Sequence, residues 1–443
     1  MRTMDVLGAP TYSYASLTTY AQCFLGLLTE KGDQACLLPA EEEACPRRVV
    51  GYSCRQLFKC LLETLLRAKP DLTIGITGMQ HNSFRNIVEE LVQPENVHIL
   101  SVDKELRAVL PLQRRCDVLV VTHYFGQDLD ISALHHSLAA HGGPAPLLLE
   151  DRCQGGSLER AFSHDAIQVT INSMGMDKRP CGLGGGFMDV RDGMELHFAG
   201  APLLPPLLAR IDELPQERPS ERAVDLLKKL PNYLIYKYKL VQRALWAVIG
   251  LLTSVGMADG IVNFGETVRK ANPGFEHVKF MKRPSAALRK TVLQHQSRWG
   301  HPEASIAAKH VLFIKSLGRD AALRLMPWLR ADAAGELQPT ISVYNSVLVG
   351  RGQNEAMERF ARERNLLIYP NPTYVVMTAN KDENLQRIVK ELFYPPALSG
   401  LTEEEIGMLA NHMLEYLKLS DGAARPGPRS EAGGGGRARR AGK

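Results

Sequence analysis

The chain of 443 residues, with 45% hydrophobic and 23% charged residues, has the composition of an ordinary globular protein and can bury a large core, commonly divided into two domains. Its net charge of +5 gathers beyond residue 420, where Arg425, Arg429, Arg437, Arg439, Arg440 and Lys443 face only Asp421 and Glu431; the body is close to neutral, which gives no support to nucleic-acid binding by a basic face. The eight cysteines form no CxxC pair and no zinc spacing, so reduced thiols and no metal are expected.

Residues 1–47 combine helical spacing around 14–28 with an acidic patch at Glu41, Glu42 and Glu43, and read as an N-terminal arm. They hold no basic segment followed by an apolar run, so a cytoplasmic location is expected. From Arg48, VVGYSCRQ leads into LFKCLLETLLRA, whose Leu57, Phe58, Leu61, Leu62 and Leu65 share one helical face. A strand, a polar turn and a helix N-terminus in that order make a seat for an anion, because the first amides of a helix lack internal partners.

Apolar runs follow at 72–77, 97–102, 117–122 and 147–149, separated by stretches able to hold helices, such as 83–92 and 131–140. Apolar strands alternating with helices predict an α/β fold with a mostly parallel sheet covered on both faces. Ligands of such sheets sit beyond the carboxyl ends of the strands, where His81, His123, Asp151 and Ser173 fall. Residues 48–192 are therefore expected to form the large domain.

Residues 193–275 break this rhythm with Pro202, Pro205, Pro206, Pro215 and Pro219, a helix-like 222–230, and an uncharged run from Ala244 to Ala258. Lys237, Lys239 and Arg243 precede that run among Tyr233, Tyr236 and Tyr238. It is shorter than the roughly 20 residues a membrane span requires. Two readings stand: a buried or dimer-packed helix, and an in-plane membrane contact through 233–258. Residues 276–420 predict a smaller C-terminal α/β domain, with helices over 276–330, 384–392 and 403–419 and strands at 340–349, 366–369 and 374–378. The Gly/Arg/Ala/Pro tail, 421–443, cannot bury a core and is expected to be disordered.

Chemistry concentrates in residues 147–186, LLLEDRCQGGSLERAFSHDAIQVTINSMGMDKRPCGLGGG. An apolar run ends in Asp151, a second ends in Asn172 and Ser173, Lys178 follows, and Gly182, Gly184, Gly185 and Gly186 allow close backbone approach to a ligand. These are the groups a pyridoxal-phosphate (PLP) site needs: an amine to hold the aldehyde, a carboxylate to keep the pyridine nitrogen protonated, and donors for the phosphate. Lys178 suits the first role, Asp151 the second and Ser173 the third. Taken singly, an Asp at a strand end is more often a cap, a Lys solvated and a glycine run only a turn; the order and spacing favour the joint reading.

The segment from His123 to Asp130, then Glu150-Asp151-Arg152-Cys153-Gln154, then Ser173 through Lys178 and the Gly184–Gly186 turn resembles the DegT/StrS family of PLP-dependent aminotransferases. The resemblance covers 45–190 well and 276–395 loosely. It implies fold type I, a homodimer, and transfer of an amino group from glutamate or glutamine to a nucleotide-linked keto-sugar. Position by position, it implies Lys178 as the Schiff-base lysine, Asp151 as the pyridinium partner, Gln154 near the ring hydroxyl, Ser173 on the phosphate and His81 stacked on the ring. Ser53, Cys54 and Arg55 stand where the family has its Gly-Thr phosphate turn, with Arg55 a candidate direct partner. Leu183 replaces the family's acidic flank, and the 193–264 link is far longer than usual. Other PLP reactions (dehydration, decarboxylation, aldol cleavage) and a non-catalytic scaffold at a membrane remain alternatives.

Overall fold

The computed structural model describes residues 47–238 and 280–424 except 104, 111–113, 128, 141, 155–159, 176–177, 179–182, 192–194, 297–301, 341–345, 351, 365, 367, 372–373 and 378–382, together with scattered helical positions within 21–27 and 240–251. Its elements run β1 (Arg47–Gly51), α1 (Cys54–Ala68), β2 (Ile74–Thr77), β3 (Met79–His81), α2 (Asn82–Leu91), β4 (Val97–Leu100), β5 (Val118–Thr122), α3 (Ile131–Ala140), β6 (Leu147–Asp151), β7 (Val169–Ser173) and β8 (Gly186–Val190). After a small hairpin, β9 (His197–Phe198) and β10 (Ala201–Pro202), come α4 (Leu204–Asp212), α5 (Pro219–Lys237) and α6 (Ala286–Gln296). The C-terminal lobe holds α7 (Pro302–Leu317), α8 (Arg319–Leu325), β11 (Val347–Leu348), α9 (Asn354–Glu363), β12 (Tyr369–Pro370), β13 (Tyr374–Val376), α10 (Glu383–Glu391), β14 (Leu392–Tyr394) and α11 (Glu403–Ala424).

Seven strands form one sheet in the order β1-β8-β7-β6-β5-β2-β4. β2, β4, β5, β6 and β7 run parallel, while β8 is antiparallel to both β1 and β7. The strands β2, β5 and β6 are buried from end to end, as continuous apolar runs in a sheet covered on both faces must be. On one face, the apolar stripe of α1 packs with α2 against alternate strand residues: Leu57, Leu61 and Leu65 join Val120, Leu149 and Ile171 in one cluster, and Phe58 stacks on Phe84 at 4.2 Å. The other face is covered in part by α6, whose Leu288 and Val292 meet Val50, Met174 and Phe187.

The C-terminal lobe packs α7 and α11 around Phe313, Phe393, Met413 and Tyr416, in a core that continues into Met79, Val102, Tyr124 and Phe125 of the segment 48–192. Its sheet is β11-β14-β12, but β13 leaves it and pairs antiparallel with β3, placing Tyr374 opposite His81.

The sequence pattern anticipates the parallel strands to within two residues and leaves out β3, β8, β9, β10 and β14, which are short or begin in glycine. The expected 222–230 helix extends to α5 because Pro219 opens it in the first turn and the Arg218 amide is capped by Glu221 at 3.1 Å. One expectation is corrected: the 421–443 tail does not begin at Asp421, since α11 runs to Ala424. Arg324 grips Asp421 at 2.6 Å and the Ser420 hydroxyl donates to Leu417 O, which carries the last turn past that point. Residues 425–443, positions 341–345 of the expected 340–349 strand and most of the 1–47 arm lie outside the described residues.

Candidate active site

β5, β6 and β7 end side by side at Thr122, Asp151 and Ser173, with Thr122 in register with Asp151 and Asp151 with Ile171. The Asp151 carboxylate is 3% exposed. Its Oδ1 accepts from the Cys153 amide at 3.0 Å, and its Oδ2 from the Thr122 hydroxyl at 3.4 Å. Thr122 is itself fixed by Gln80, whose Nε2 donates to Thr122 Oγ1 at 2.8 Å and to Thr77 Oγ1 at 2.6 Å. Thr77, Gln80, Thr122 and Asp151 thus form one fully buried polar row across three strand ends. Burial pushes the Asp151 carboxyl upward, while the Cys153 hydrogen bonds and the Lys178 charge pull against it.

Lys178, 9% exposed, sits in the loop that leaves β7. The base of this loop is closed by Met174 N to Gly185 O and Gly184 N to Met174 O, both at 3.0 Å, and the Lys178 amide bonds Gly175 O at 3.0 Å. Gly184 and Gly185 have φ of +138° and +88°, which a side chain would strain. Gly186 is required for another reason. A Cβ there would stand 2.6 Å from Cys54 N and 2.9 Å from Asn172 O, so only glycine lets the start of α1 lie against β8.

The sequence expects its anion seat at this helix start. Ser53 is its N-cap, accepting the Gln56 amide at 3.1 Å, and bridges to Gly185; Ser173 lies across from Gly186. Cys54 begins the helix, with its Sγ 3.0 Å from Cys153 Sγ. Arg55 has its guanidinium 5.5 Å from the centre of the Phe280 ring. The structure therefore brings Ser53, Cys54, Asp151, Ser173 and Lys178 around the same strand ends, with the buried Gln154 three residues past Asp151. Burial pushes up the Cys153 thiol, as it does those of Cys60, to about 12, and Cys116, to about 11, which makes them poor nucleophiles.

His81 caps α2: its Nδ1 is 2.7 Å from the Ser83 hydroxyl and accepts the Ser83 amide at 3.2 Å. His123 belongs elsewhere. Its Nδ1 accepts from the Leu129 amide at 3.1 Å, so the ring proton is on Nε2 and is donated to Glu150 Oε1 at 2.6 Å. Glu150 points to the opposite side of β6 from Asp151 because successive strand residues alternate. Burial disfavours its charge, yet the His123 hydrogen bond, Arg152 and Ser163 outweigh that and lower the carboxyl to about 2.

Sequence reasoning misses the Thr77–Gln80–Thr122 row and Tyr374. The row had a signal, three polar residues at the ends of runs otherwise apolar. Tyr374 had none, because it arrives from the C-terminal lobe by the β3–β13 pairing. It is 2% exposed, packs edge-on against Tyr124 and Phe125 at 6.1 and 5.4 Å, and burial, with Asp151 contributing, holds its phenol well above the ordinary value.

Among the described residues no group of His, Cys, Asp and Glu could hold a metal ion, and no helix is long and apolar enough to cross a membrane. Among the described residues of the 233–258 stretch, Leu240, Val248 and Leu251 are 79%, 52% and 64% exposed, while Leu234 and Tyr238 are partly buried beside Leu183 and Leu226.

No protein-family model matches the chain, and no curated protein matches it in sequence. Solved structures do match. An aminotransferase from Psychrobacter cryohalolentis superposes with a TM-score of 0.59 at 11% identity, covering 93% of this chain and 98% of that one. A sugar aminotransferase from Micromonospora echinospora gives 0.52 at 14%, covering 92% and 99%. GDP-4-keto-6-deoxymannose-3-dehydratase with a trapped PLP-glutamate geminal diamine gives 0.53 at 13%, also covering 92% and 99%. At these identities the likeness establishes the fold: the chain has the fold type I architecture of PLP-dependent sugar aminotransferases.

Proposed function

We propose that the chain is a PLP-dependent aminotransferase that moves an amino group from an amino acid, glutamate or glutamine, to a keto substrate of the nucleotide-linked keto-sugar class. The observation that carries this reading is the pairing of a buried carboxylate, Asp151, with a nearly buried amine, Lys178, at the strand ends beside a helix N-terminus. The donor set fits the cofactor. A carboxyl pushed upward by burial gains its charge back when a protonated ring nitrogen lies against it, and the α1 start, with Ser53 and Ser173, offers donors to a phosphate.

When bound, PLP supplies an electron sink for the pair released as a Cα–H bond breaks. Lys178 would hold the aldehyde and, once released, carry the proton from one carbon to the other. Asp151, held by Cys153 N and Thr122, would keep the ring nitrogen protonated. Gln154 would face the ring hydroxyl and His81 the ring. Residues 48–192 would be the cofactor domain and 276–420 the smaller domain, in a cytoplasmic homodimer.

The 3-dehydratase among the similar structures favours dehydration as the second reading. Absorption spectroscopy tests the cofactor, and analysis of the keto-sugar product separates the two. Purified protein given PLP should develop a visible band, and adding glutamate should bleach it into the near ultraviolet. A protein that stays colourless with added PLP sinks the proposal. Because glutamate also adds to the cofactor in that dehydratase, the product decides between the two readings: an amino sugar supports transamination, and a deoxygenated sugar without an amino group moves the assignment to the lyase.

A further inference from the structure

The long inserted segment has no role in the chemistry so far. We propose that its helix α5 is a positioning arm for the lysine loop, with Arg222 and Lys229, bridged by Asp225, gripping the Leu183 carbonyl and so fixing where Lys178 stands. The proposal rests on the reading of Lys178 as the cofactor-holding amine.

Leu183 is fully buried and has a φ of +58°, a conformation leucine avoids, followed by Gly184 at +138°. Such backbone persists only where its surroundings over-determine it, and α5 supplies those surroundings. Lys229 Nζ donates to Leu183 O at 2.9 Å and to Asp225 Oδ2 at 2.6 Å. Arg222 Nη1 donates to the same carbonyl at 3.3 Å and to the same carboxylate oxygen at 3.1 Å. One carbonyl thus receives two cations, and one carboxylate holds both. Leu226, one turn along, is fully buried against Leu183. A Cβ on Gly184 would lie 2.7 Å from Arg222 Nη1, so the arm lies directly on the turn.

The arm is anchored as well as applied. Just before α5, Glu217 is buried and accepts from the Ser285 amide at 3.2 Å and hydroxyl at 2.7 Å, and Ser285 Oγ in turn accepts from the Leu288 amide at 3.3 Å in α6. Because α6 packs on the sheet, the chain sheet–α6–Glu217–α5–Leu183 is continuous. Gly184 and Gly185, directly after Leu183, close the lysine loop against Met174, so a displaced turn displaces the segment carrying Lys178. A misplacement near 1 Å costs an active site about 100-fold.

The test compares Lys229→Met, which keeps length and loses the donor, with Lys229→Arg and with Asp225→Asn. Lys229 is a quarter exposed, so the variants should fold. In the absence of PLP, amide exchange of residues 174–185 should quicken in Lys229→Met and Asp225→Asn while the urea midpoint stays that of the wild type. PLP affinity should fall about 10- to 100-fold. The pH midpoint of the visible band should also move, because the separation of Lys178 from the Asp151 charge changes, and Lys229→Arg should restore both. Wild-type exchange, affinity and pH midpoint in Lys229→Met and Asp225→Asn would overturn the arm while leaving the cofactor assignment intact. A wild type that takes up no PLP fails the cofactor assignment itself, and the arm with it.

Discussion

Gly186→Ala is the smallest change that tests the architecture of the site. The new Cβ would meet Cys54 N at 2.6 Å, Asn172 O at 2.9 Å and Cys54 Cα at 3.0 Å. Ordinary contact begins at 3.4 Å, so the worst of these is short by about 0.8 Å, and all three atoms are backbone. No rotamer can relieve the clash; either α1 retreats from β8 or the β7–β8 pair opens. Overpacking of this kind costs about 1–3 kcal/mol, offset in part by the roughly 0.5–1 kcal/mol that alanine recovers from the unfolded chain. Because the retreating element is the helix start that would hold the phosphate, cofactor affinity should fall together with stability. Urea denaturation with an unchanged slope and PLP titration measure the two effects. Gly407→Ala, in the helix α11 with open space around it, is the control and should stabilise by about 0.5–1 kcal/mol. A Gly186→Ala protein with the wild-type midpoint and wild-type PLP affinity would refute the close approach of α1 to β8.

Thr122→Val removes the hydroxyl that links Gln80 to Asp151, so the buried Gln80 amide keeps Thr77 but loses its Thr122 partner; a loss of about 1–3 kcal/mol in stability and weaker PLP binding are expected from denaturation and titration. Glu150 gives a pH signature. Its folded value of about 2 lies below its unfolded 4.5, so its contribution is complete above pH 4.5 and is lost as pH falls toward 2. Compared with Glu150→Gln, the wild type should therefore hold an advantage of up to about 3 kcal/mol near neutrality that disappears between about pH 5 and 2; a gap independent of pH would contradict the His123–Glu150 pairing. Vesicle flotation separates the enzyme from the membrane scaffold: the enzyme reading expects no flotation, whereas flotation that is lost in Leu240→Glu/Leu251→Glu would favour the scaffold.

Much of the fold was legible because a parallel sheet covered on both faces forces its strands into unbroken apolar runs, and runs such as 117–122 stand out between amphipathic helices. Asp151 and Lys178 are singled out by order and spacing and not singly: one apolar run ends in Asp151, the next in Ser173, and Lys178 follows five residues later. What the sequence could not convey is what long-range pairing creates. β3 and β13 are three residues each, far too short to signal, yet their register brings Tyr374 to His81. The grip of α5 on Leu183 was equally hidden, since Arg222, Asp225 and Lys229 read as an ordinary polar helix face until the fold supplies a buried carbonyl for them to meet. His123 shows the converse: its position after a strand suggested the site, and the alternation of the strand put it on Glu150's side.

The central claim is that Lys178 holds PLP. Borohydride reduction of the PLP-loaded protein, followed by peptide mass analysis, tests it most directly. The cofactor mass should be fixed on the peptide containing Lys178 and be absent from Lys178→Ala. A label on another lysine, or none on a protein that carries the visible band, would contradict the account.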